Sequence, residues 1–172
     1  MYMETKQCAT CKDTKSVNDF YFDEQNQRHH SSCKLCSKNR TTKWVKTLAE
    51  SSDPNDILKF TIYKILQSTR SNAKVKHILC ELNTDFLTLL YNKQQGKCYY
   101  TGTPMTLRSN GHLNRDPLLI SLDRLNSNEG YTPTNTVLCC WGCNALKGWH
   151  SETTLYNTLK ILYENCHILG KC

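Results

Sequence analysis

The sequence has few apolar residues and no long apolar segment. Hydrophobic residues make up 38% of its 172 residues and the mean hydropathy is −0.59, whereas globular domains usually have an apolar share near one half. No apolar run reaches the length of roughly 18 residues that a membrane-spanning helix requires. These shortages exclude a membrane protein and predict a thin hydrophobic core.

The polar start of the chain, residues 1–11, also lacks the apolar segment of a secretory signal. We therefore expect an intracellular protein, without distinguishing cytoplasm from nucleus. Cysteine, by contrast, is abundant, with 11 residues. In a reducing compartment this density indicates metal binding rather than disulfides, and bound zinc would supply folding energy that a thin core cannot.

Acidic residues are missing from two stretches of a chain whose formal net charge is +7. The basic residues in these stretches are candidate contacts to double-stranded DNA: Lys34, Lys38, Arg40, Lys43, Lys46, Arg70, Lys74 and Lys76. Basic stripes on helices are typical of a surface that follows a phosphate backbone. Two solvated helix faces would give the same pattern, so charge alone does not distinguish these interpretations.

The order of predicted elements indicates an α+β fold in four segments. Residues 1–50 form a four-cysteine zinc module with a basic helix, and residues 51–97 form a helical connector that contributes to DNA binding. Residues 98–150 contain turns, strands near 118–122 and 136–138, and a short helix over 141–149. Residues 151–172 form a C-terminal helix with Leu155, Leu159 and Leu162 on one face. Asp53 and Thr84 are the expected N-caps of the two connector helices.

The first metal site is predicted from two C-x2-C pairs with 21 residues between them. The four ligands are Cys8, Cys11, Cys33 and Cys36. Each pair can direct two thiolates at one ion, and two such pairs complete a tetrahedron. We expect a closed, structural Zn²⁺ site that positions the basic helix beginning at Cys33.

A second cluster is one ligand short. Cys98 and the pair Cys140 and Cys143 could converge on a second zinc ion, but the residue three after Cys98 is Thr101. Two residues could supply the fourth ligand: Cys139 and His112. A small hydrophobic cluster of free cysteines explains the same residues without metal.

Between the two halves of this cluster, Asp123 follows the clearest strand and Asn144 lies on the next short helix. A carboxylate and an amide can share one hard divalent ion through their oxygen atoms. A single Asp at a strand end is more often a turn residue, so the argument depends on its spacing to the C-x2-C-N helix.

Residues 121–126, 130–135 and 140–147 together resemble the catalytic motif of the HNH, or ββα-metal, endonucleases. In the order of its parts the whole chain is similar to a rare-cutting restriction endonuclease of that family with a four-cysteine zinc motif. The resemblance implies that Asp123 and Asn144 bind a catalytic Mg²⁺ or Mn²⁺ ion. It also implies that Asn135 braces the central loop, and Lys147, within the motif, is a further candidate DNA contact.

One departure from the family concerns the base. Arg124 stands where most members have the histidine that activates water, and a guanidinium cannot act as a general base. The resemblance implies that Arg124 clamps the phosphate, and His77 is the candidate base from a similar position in the related restriction enzyme. Tyr91, Tyr99 and Tyr100 could assist the reaction, although core packing also explains each of them. His112 and His150 are weaker candidates for the base.

The predicted function is a metal-dependent DNA endonuclease that hydrolyses phosphodiester bonds, and the resemblance implies a homodimer for double-strand cleavage. The alternative is a catalytically inactive, zinc-stabilised nucleic-acid-binding protein. A zinc-organised protein-interaction module would leave Asp123, Arg124 and Asn144 unexplained.

Overall fold

Two short hairpins and one long helix form the first of two compact units, Met1–Glu50 and Ser51–Cys172. The structure is a computed structural model that describes residues 4–108 and 116–166. In the first unit β1 (Thr5–Gln7) pairs with β2 (Thr14–Ser16), and β3 (Phe20–Asp23) pairs with β4 (Arg28–Cys33), both antiparallel. Helix α1 (Lys34–Glu50) follows directly.

The hydrophobic core of this first unit is very small. It consists of the buried side chains of Cys8, Phe20 and Cys33, with Cys36 packed against them. Since these cysteines are also the predicted zinc ligands, the core and the metal site are nearly the same residues. A metal ion bound by these cysteines would therefore contribute directly to the stability of the unit.

Among its described residues, the second unit contains four helices and one hairpin. Its helices are α2 (Pro54–Val75), α3 (Thr84–Lys93), α4 (Trp141–Lys147) and α5 (Glu152–Cys166). Strands β5 (Ile120–Arg124) and β6 (Thr136–Cys140) pair antiparallel, with Ile120 opposite Cys140 and Arg124 opposite Thr136. The predicted α+β class is confirmed.

One hydrophobic core joins these elements. Its most deeply buried members come from α2, α3, β5, β6 and α5: Ile62, Leu66, Leu87, Ile120, Leu138 and Leu155. Every residue of β6 is buried, which fits a short strand covered on both faces. This core fixes the β5–β6 hairpin and helix α4, which carry the predicted catalytic residues.

Several predicted boundaries were wrong by a few residues. Asn83, not Thr84, caps α3, since Asn83 Oδ1 accepts a hydrogen bond from the Phe86 N–H at 2.8 Å. The first strand of the hairpin begins at Ile120 rather than Leu118, because pairing with β6 sets its limits. Helix α4 ends at Lys147 because Gly148 has a φ of +55°. Leu162 is exposed, so the buried face of α5 is narrower than predicted.

The Asp53 cap was confirmed: its Oδ1 accepts from the Asn55 N–H at 2.7 Å, and Pro54 begins α2. Over the residues the structure describes, no helix is both long enough and apolar enough to cross a membrane.

Candidate functional site

The four cysteines of the first unit converge as the sequence predicted. The sulfur atoms of Cys8, Cys11, Cys33 and Cys36 all lie within 4.8 Å of one another. Cys8 Sγ accepts hydrogen bonds from the backbone N–H groups of Thr10, at 3.4 Å, and Cys33, at 3.2 Å. This cluster could hold one zinc ion, with four sulfur ligands and no open position.

The electrostatics of the quartet fit a cation at its centre. The Cys33 N–H lowers the pKa of Cys8 to about 5, so this residue is a thiolate at neutral pH. A hydrogen bond to Cys33, followed by burial and by repulsion from Cys11, raises the pKa of Cys36 to about 12. A divalent metal removes that repulsion, which is the physical role that zinc would have here.

The second cysteine cluster also comes together, around a threonine. Cys98 Sγ accepts a hydrogen bond from the Cys140 N–H at 3.2 Å, and the Cys98 thiol contacts those of Cys140 and Cys143. Thr101 interacts with both Cys98 and Cys143. Within residues 4–108 and 116–166, the first quartet alone has all its ligand atoms within 4.8 Å. A second zinc ion therefore stays a prediction.

Ionisation differs within this second cluster. Burial opposes ionisation of Cys98, but hydrogen bonds from Thr101 and the Cys140 N–H outweigh it and lower the pKa of Cys98. Burial raises the pKa of Cys140 to about 12 and that of Cys143 to about 11. Cys140 and Cys143 are therefore thiols at neutral pH when no metal is bound.

Neither proposed fourth ligand completes this cluster in the described structure. Cys139 stands directly opposite Ser121 in the hairpin and Cys140 opposite Ile120. Adjacent strand residues point to opposite faces, so Cys139 points away from the Cys140 thiol. His112 lies outside the described residues.

A separate polar site lies where α4 covers one face of the β5–β6 hairpin. Ser121 and Asp123 are two residues apart on β5, so they share a face, and Asn144 and Lys147 are three apart on α4. Asn144 Nδ2 donates to Ser121 Oγ at 2.8 Å and to the Leu122 carbonyl at 2.9 Å. Lys147 Nζ forms an ion pair with Asp123 Oδ2 at 3.0 Å.

Asp123 is held from two directions. The Lys147 side chain is fully buried, and its ammonium also donates to the Arg124 carbonyl at 2.8 Å. The Tyr100 hydroxyl donates to Asp123 Oδ2 at 2.5 Å. Burial raises the pKa of Tyr100 well above its usual value, and Asp123 adds to this, so the hydroxyl stays protonated and keeps donating. The carboxylate is only 5% exposed and fixed in orientation.

This arrangement corrects one sequence-based assignment. Lys147 was predicted to contact DNA, but its buried ammonium is directed at Asp123 and the Arg124 carbonyl. The sequence did indicate that Lys147 and Asn144 lie on the same side of α4, because they have the spacing of one helix face. Only the packing of α4 on β5 shows which residues that face meets.

The donor set at this face fits a hard divalent cation. Asp123 supplies a carboxylate that already attracts an ammonium. Both N–H groups of the Asn144 amide are used by β5, and none of the described contacts uses its Oδ1. A carboxylate and an amide oxygen, completed by water and a substrate phosphate, are ligands that Mg²⁺ and Mn²⁺ accept.

Arg124 is the last residue of β5, and Asn135 lies at the end of the loop that leads to β6. Arg124 Nη1 donates to the Glu129 carbonyl at 2.8 Å, and its guanidinium lies 5.1 Å from the centre of the Tyr131 ring. Asn135 is buried, donates to the carbonyls of Asn126 and Gly130, and accepts from the Asn126 N–H. These bonds leave the Asn135 amide occupied in bracing the loop.

His77 lies just beyond the end of α2. It is exposed and has a φ of +54°, in a position where helices usually end with glycine. The Ile78 N–H donates to the Ala73 carbonyl at 2.8 Å, which completes the helix stop. No described contact joins the His77 side chain to Asp123, so its role as base stays a prediction.

The segment after His77 does reach the site's loop. Leu79 accepts a hydrogen bond from the Tyr131 N–H at 2.8 Å, and the Glu81 N–H donates to the Tyr131 carbonyl at 3.0 Å. Tyr131 in turn carries the ring beneath Arg124. His77 is therefore two residues from a chain segment bonded to the Arg124 loop.

The predicted DNA contacts differ in how they are used. Arg70 Nη2 donates to the Leu82 carbonyl at 2.6 Å and so ties α2 to the segment before α3. Lys34 Nζ donates to the Asn18 carbonyl at 2.7 Å, and Lys46 lies 3.9 Å from Glu50. The remaining predicted contacts are exposed and have no carboxylate partner among the described residues: Lys38, Arg40, Lys43, Lys74 and Lys76.

Comparison with known proteins gives one structural match. A solved structure of the rare-cutting HNH restriction endonuclease PacI is similar to this chain, with 20% sequence identity and a TM-score of 0.43. The match covers 95% of this chain and 97% of that one. No protein-family model matches the chain, and no curated protein matches it.

Proposed function

We propose that this protein is a metal-dependent DNA endonuclease of the HNH type that hydrolyses phosphodiester bonds. The observation that carries the proposal is the polar face between β5 and α4. There Asp123 and Asn144 present a carboxylate and an amide oxygen, and Lys147 and Tyr100 fix the carboxylate. Burying a carboxylate costs desolvation free energy even when it has partners. A buried carboxylate of this kind is therefore a candidate functional group.

The residues at this face, together with Arg124 and His77, have distinct proposed roles. Asp123 and Asn144 would hold Mg²⁺ or Mn²⁺, which when bound neutralises charge on the scissile phosphate and the leaving oxygen. Arg124 clamps the phosphate as a fixed positive charge. His77 takes the proton from the attacking water. Lys147 and Tyr100 are positioning residues, since their contacts are to Asp123 and the Arg124 carbonyl.

The finer assignments belong to the same proposal. The substrate is double-stranded DNA, contacted by the exposed lysines of α1 and α2, and a homodimer would supply one site for each strand. Restriction-like double-strand cleavage follows from two such sites. Linear product from a supercoiled plasmid, together with a dimer mass in sedimentation, supports this assignment, whereas nicked product from a monomer contradicts it.

The activity is tested by incubating the protein with plasmid and Mg²⁺ or Mn²⁺. We expect nicking or linearisation that Asp123→Asn abolishes, since the amide keeps the shape of the carboxylate and loses its charge. Asp85→Asn is the matched control, because Asp85 is an exposed residue in the first turn of α3. Equal cleavage by the wild type and Asp123→Asn would contradict the proposal.

A second candidate is a nucleic-acid-binding protein without catalysis, which Arg124 in place of the expected histidine favours. It predicts salt-dependent DNA binding with no cleavage under any metal. Asn144→Ala distinguishes the two, because it removes the second oxygen ligand. It would reduce Mn²⁺ affinity, measured by calorimetry, only if the site binds metal.

A further inference from the structure

The first unit contains a basic pocket whose function the endonuclease proposal does not include. The pocket has a volume of about 510 Å³ and lies between β1, β4 and the first turns of α1. Lys6, Arg28 and Arg40 contribute three cations to its wall, and Asp23 contributes one carboxylate. The pocket therefore carries a net positive charge.

The single carboxylate offsets at most one of the three cations, and it stands opposite Arg28 in the pairing of β3 with β4. Both Asp23 oxygens accept hydrogen bonds from Asn26, one from its backbone N–H at 3.1 Å and one from its side-chain amide at 2.8 Å. The side-chain bond from Asn26 is the main cause of a lowered pKa at Asp23. Asp23 is thus committed to its own turn, and none of the three cations forms an ion pair with it among the described contacts.

Neutral acceptors, not carboxylates, hold two of the cations in place. Arg40 Nη2 donates to Ser32 Oγ at 3.1 Å and to Thr10 Oγ1 at 3.4 Å, and those two hydroxyls lie 2.8 Å apart. Lys6 Nζ donates to the His29 carbonyl at 2.8 Å. These bonds orient the cations and leave their charge uncompensated. The other nitrogens of Arg40 remain as donors in a planar fork that matches a phosphate.

A further group on the wall also lacks a partner. Among the described residues, the buried Nδ1 of His29 has no hydrogen-bond partner, and His29 lines the pocket. Because that nitrogen is itself buried, the cations and hydroxyls are the contacts that the pocket offers to a ligand. The hydroxyls of Ser31 and Ser37 also line the pocket. Cations and hydroxyls are the usual contacts of a phosphate group.

We propose that this pocket binds a phosphodiester group of the DNA backbone, separately from the cleavage site in the second unit. This phosphate site rests on the proposed function, because its ligand is the DNA that the endonuclease would cleave. The pocket is continuous with α1, which carries Arg40 and has no acidic residue before Glu50. A backbone phosphate, extended in both directions by its strand, suits an open basic pocket better than an isolated ion does.

The test compares two variants that lose the same charge. Lys6→Gln with Arg28→Gln removes two pocket cations, and Lys12→Gln with Lys15→Gln removes two lysines of the same unit that do not line the pocket. Binding of a labelled duplex is followed by anisotropy between 50 and 200 mM KCl, the range in which phosphate contacts dominate. The salt slope should fall by about two for the pocket variant, and affinity roughly tenfold to a hundredfold. The control should stay near the wild type.

Ser37→Asp provides a second, independent variant. It adds a carboxylate to the pocket while leaving every cation in place, and an acid in the first turn of a helix is favourable for folding. It should also weaken duplex binding. Zinc content and circular dichroism, measured on each variant, verify that the fold is retained.

The outcomes separate this inference from the endonuclease proposal. If the pocket variants bind duplex like their control, the phosphate site is overturned even if the wild type cleaves DNA. If they lose binding while the wild type binds without cleaving, the phosphate site stands and the endonuclease proposal fails. Calorimetry with inorganic phosphate and anisotropy with duplex RNA complete the test. Tight binding of free phosphate with unchanged duplex binding, or a preference for RNA, would overturn the assignment to DNA.

Discussion

The two units of this protein bury their cysteines for different reasons. In the first, the cysteines are nearly the whole core, and four sulfurs meet within 4.8 Å. In the second, three cysteines (Cys98, Cys139 and Cys140) are buried members of a large core that also includes aliphatic side chains such as Ile62, Leu87 and Leu138. The comparison shows that cysteine density alone does not indicate metal dependence. What matters is how much apolar surface the unit buries without its metal.

The largest effect is expected from removing zinc. Chelation, or Cys33→Ser, should unfold the first unit, because zinc supplies folding free energy of about 10 kcal/mol or more in small modules. Hydrogen exchange measured by mass spectrometry should show lost protection in residues 4–50 and retained protection in the core of the second unit. Cys80→Ser, which changes a cysteine outside both clusters, is the control. Retained protection in the metal-free first unit would contradict this comparison.

The second largest effect concerns the ion pair that the second unit does bury. Lys147→Met should lower the free energy of unfolding by about 3–5 kcal/mol, because it leaves the Asp123 carboxylate buried without its cation. Urea denaturation measures the change.

Lys160→Met is the matched control for Lys147→Met. Lys160 lies 3.7 Å from Glu164 with both side chains exposed, and such pairs contribute at most about 1 kcal/mol. If the two variants lose the same stability, the Lys147 pair does not have the buried character described above.

A third change should make the second cluster resemble the first. Thr101 occupies the corner where a fourth sulfur would stand, in contact with Cys98 and Cys143. We expect Thr101→Cys to raise the zinc content from one to two ions per chain, since four thiolates complete a tetrahedral site. Elemental analysis measures the ratio, and Thr103→Cys is the control. Two zinc ions in the wild type would show that three cysteines suffice.

The smallest expected change in stability is at His77. His77→Gly should leave the free energy of unfolding within about 0.5 kcal/mol of the wild type, because glycine is relaxed at positive φ but more flexible when unfolded. Cleavage should fall by a factor of roughly a hundred to ten thousand if His77 is the base. Gln95→Gly makes the same backbone change at a φ of +54° and should keep full activity. Equal activity of both variants would exclude His77 as the base.

Features that depend on neighbours in the chain were predictable. The C-x2-C spacing brings each pair of thiols together through one tight turn, and two such pairs were enough to predict the zinc quartet. The Asp53–Pro54 start of α2 was equally local, because a cap bonds to N–H groups two and three residues away. The exact ends of β5 and β6 were not predictable, since strand limits depend on a partner strand.

The sequence by itself therefore determined which residues could bind metal and which class of fold would present them. The tertiary structure alone decided what each polar group contacts. Nothing in the local sequence distinguishes Lys147 from a surface lysine. Packing of α4 on β5 nevertheless buries its ammonium against Asp123. Thr101 lies three residues from Cys98, but it became a neighbour of Cys143 only when the 98–103 turn met α4. Local spacing fixes short-range geometry, whereas burial and charge pairing depend on segments distant in the chain.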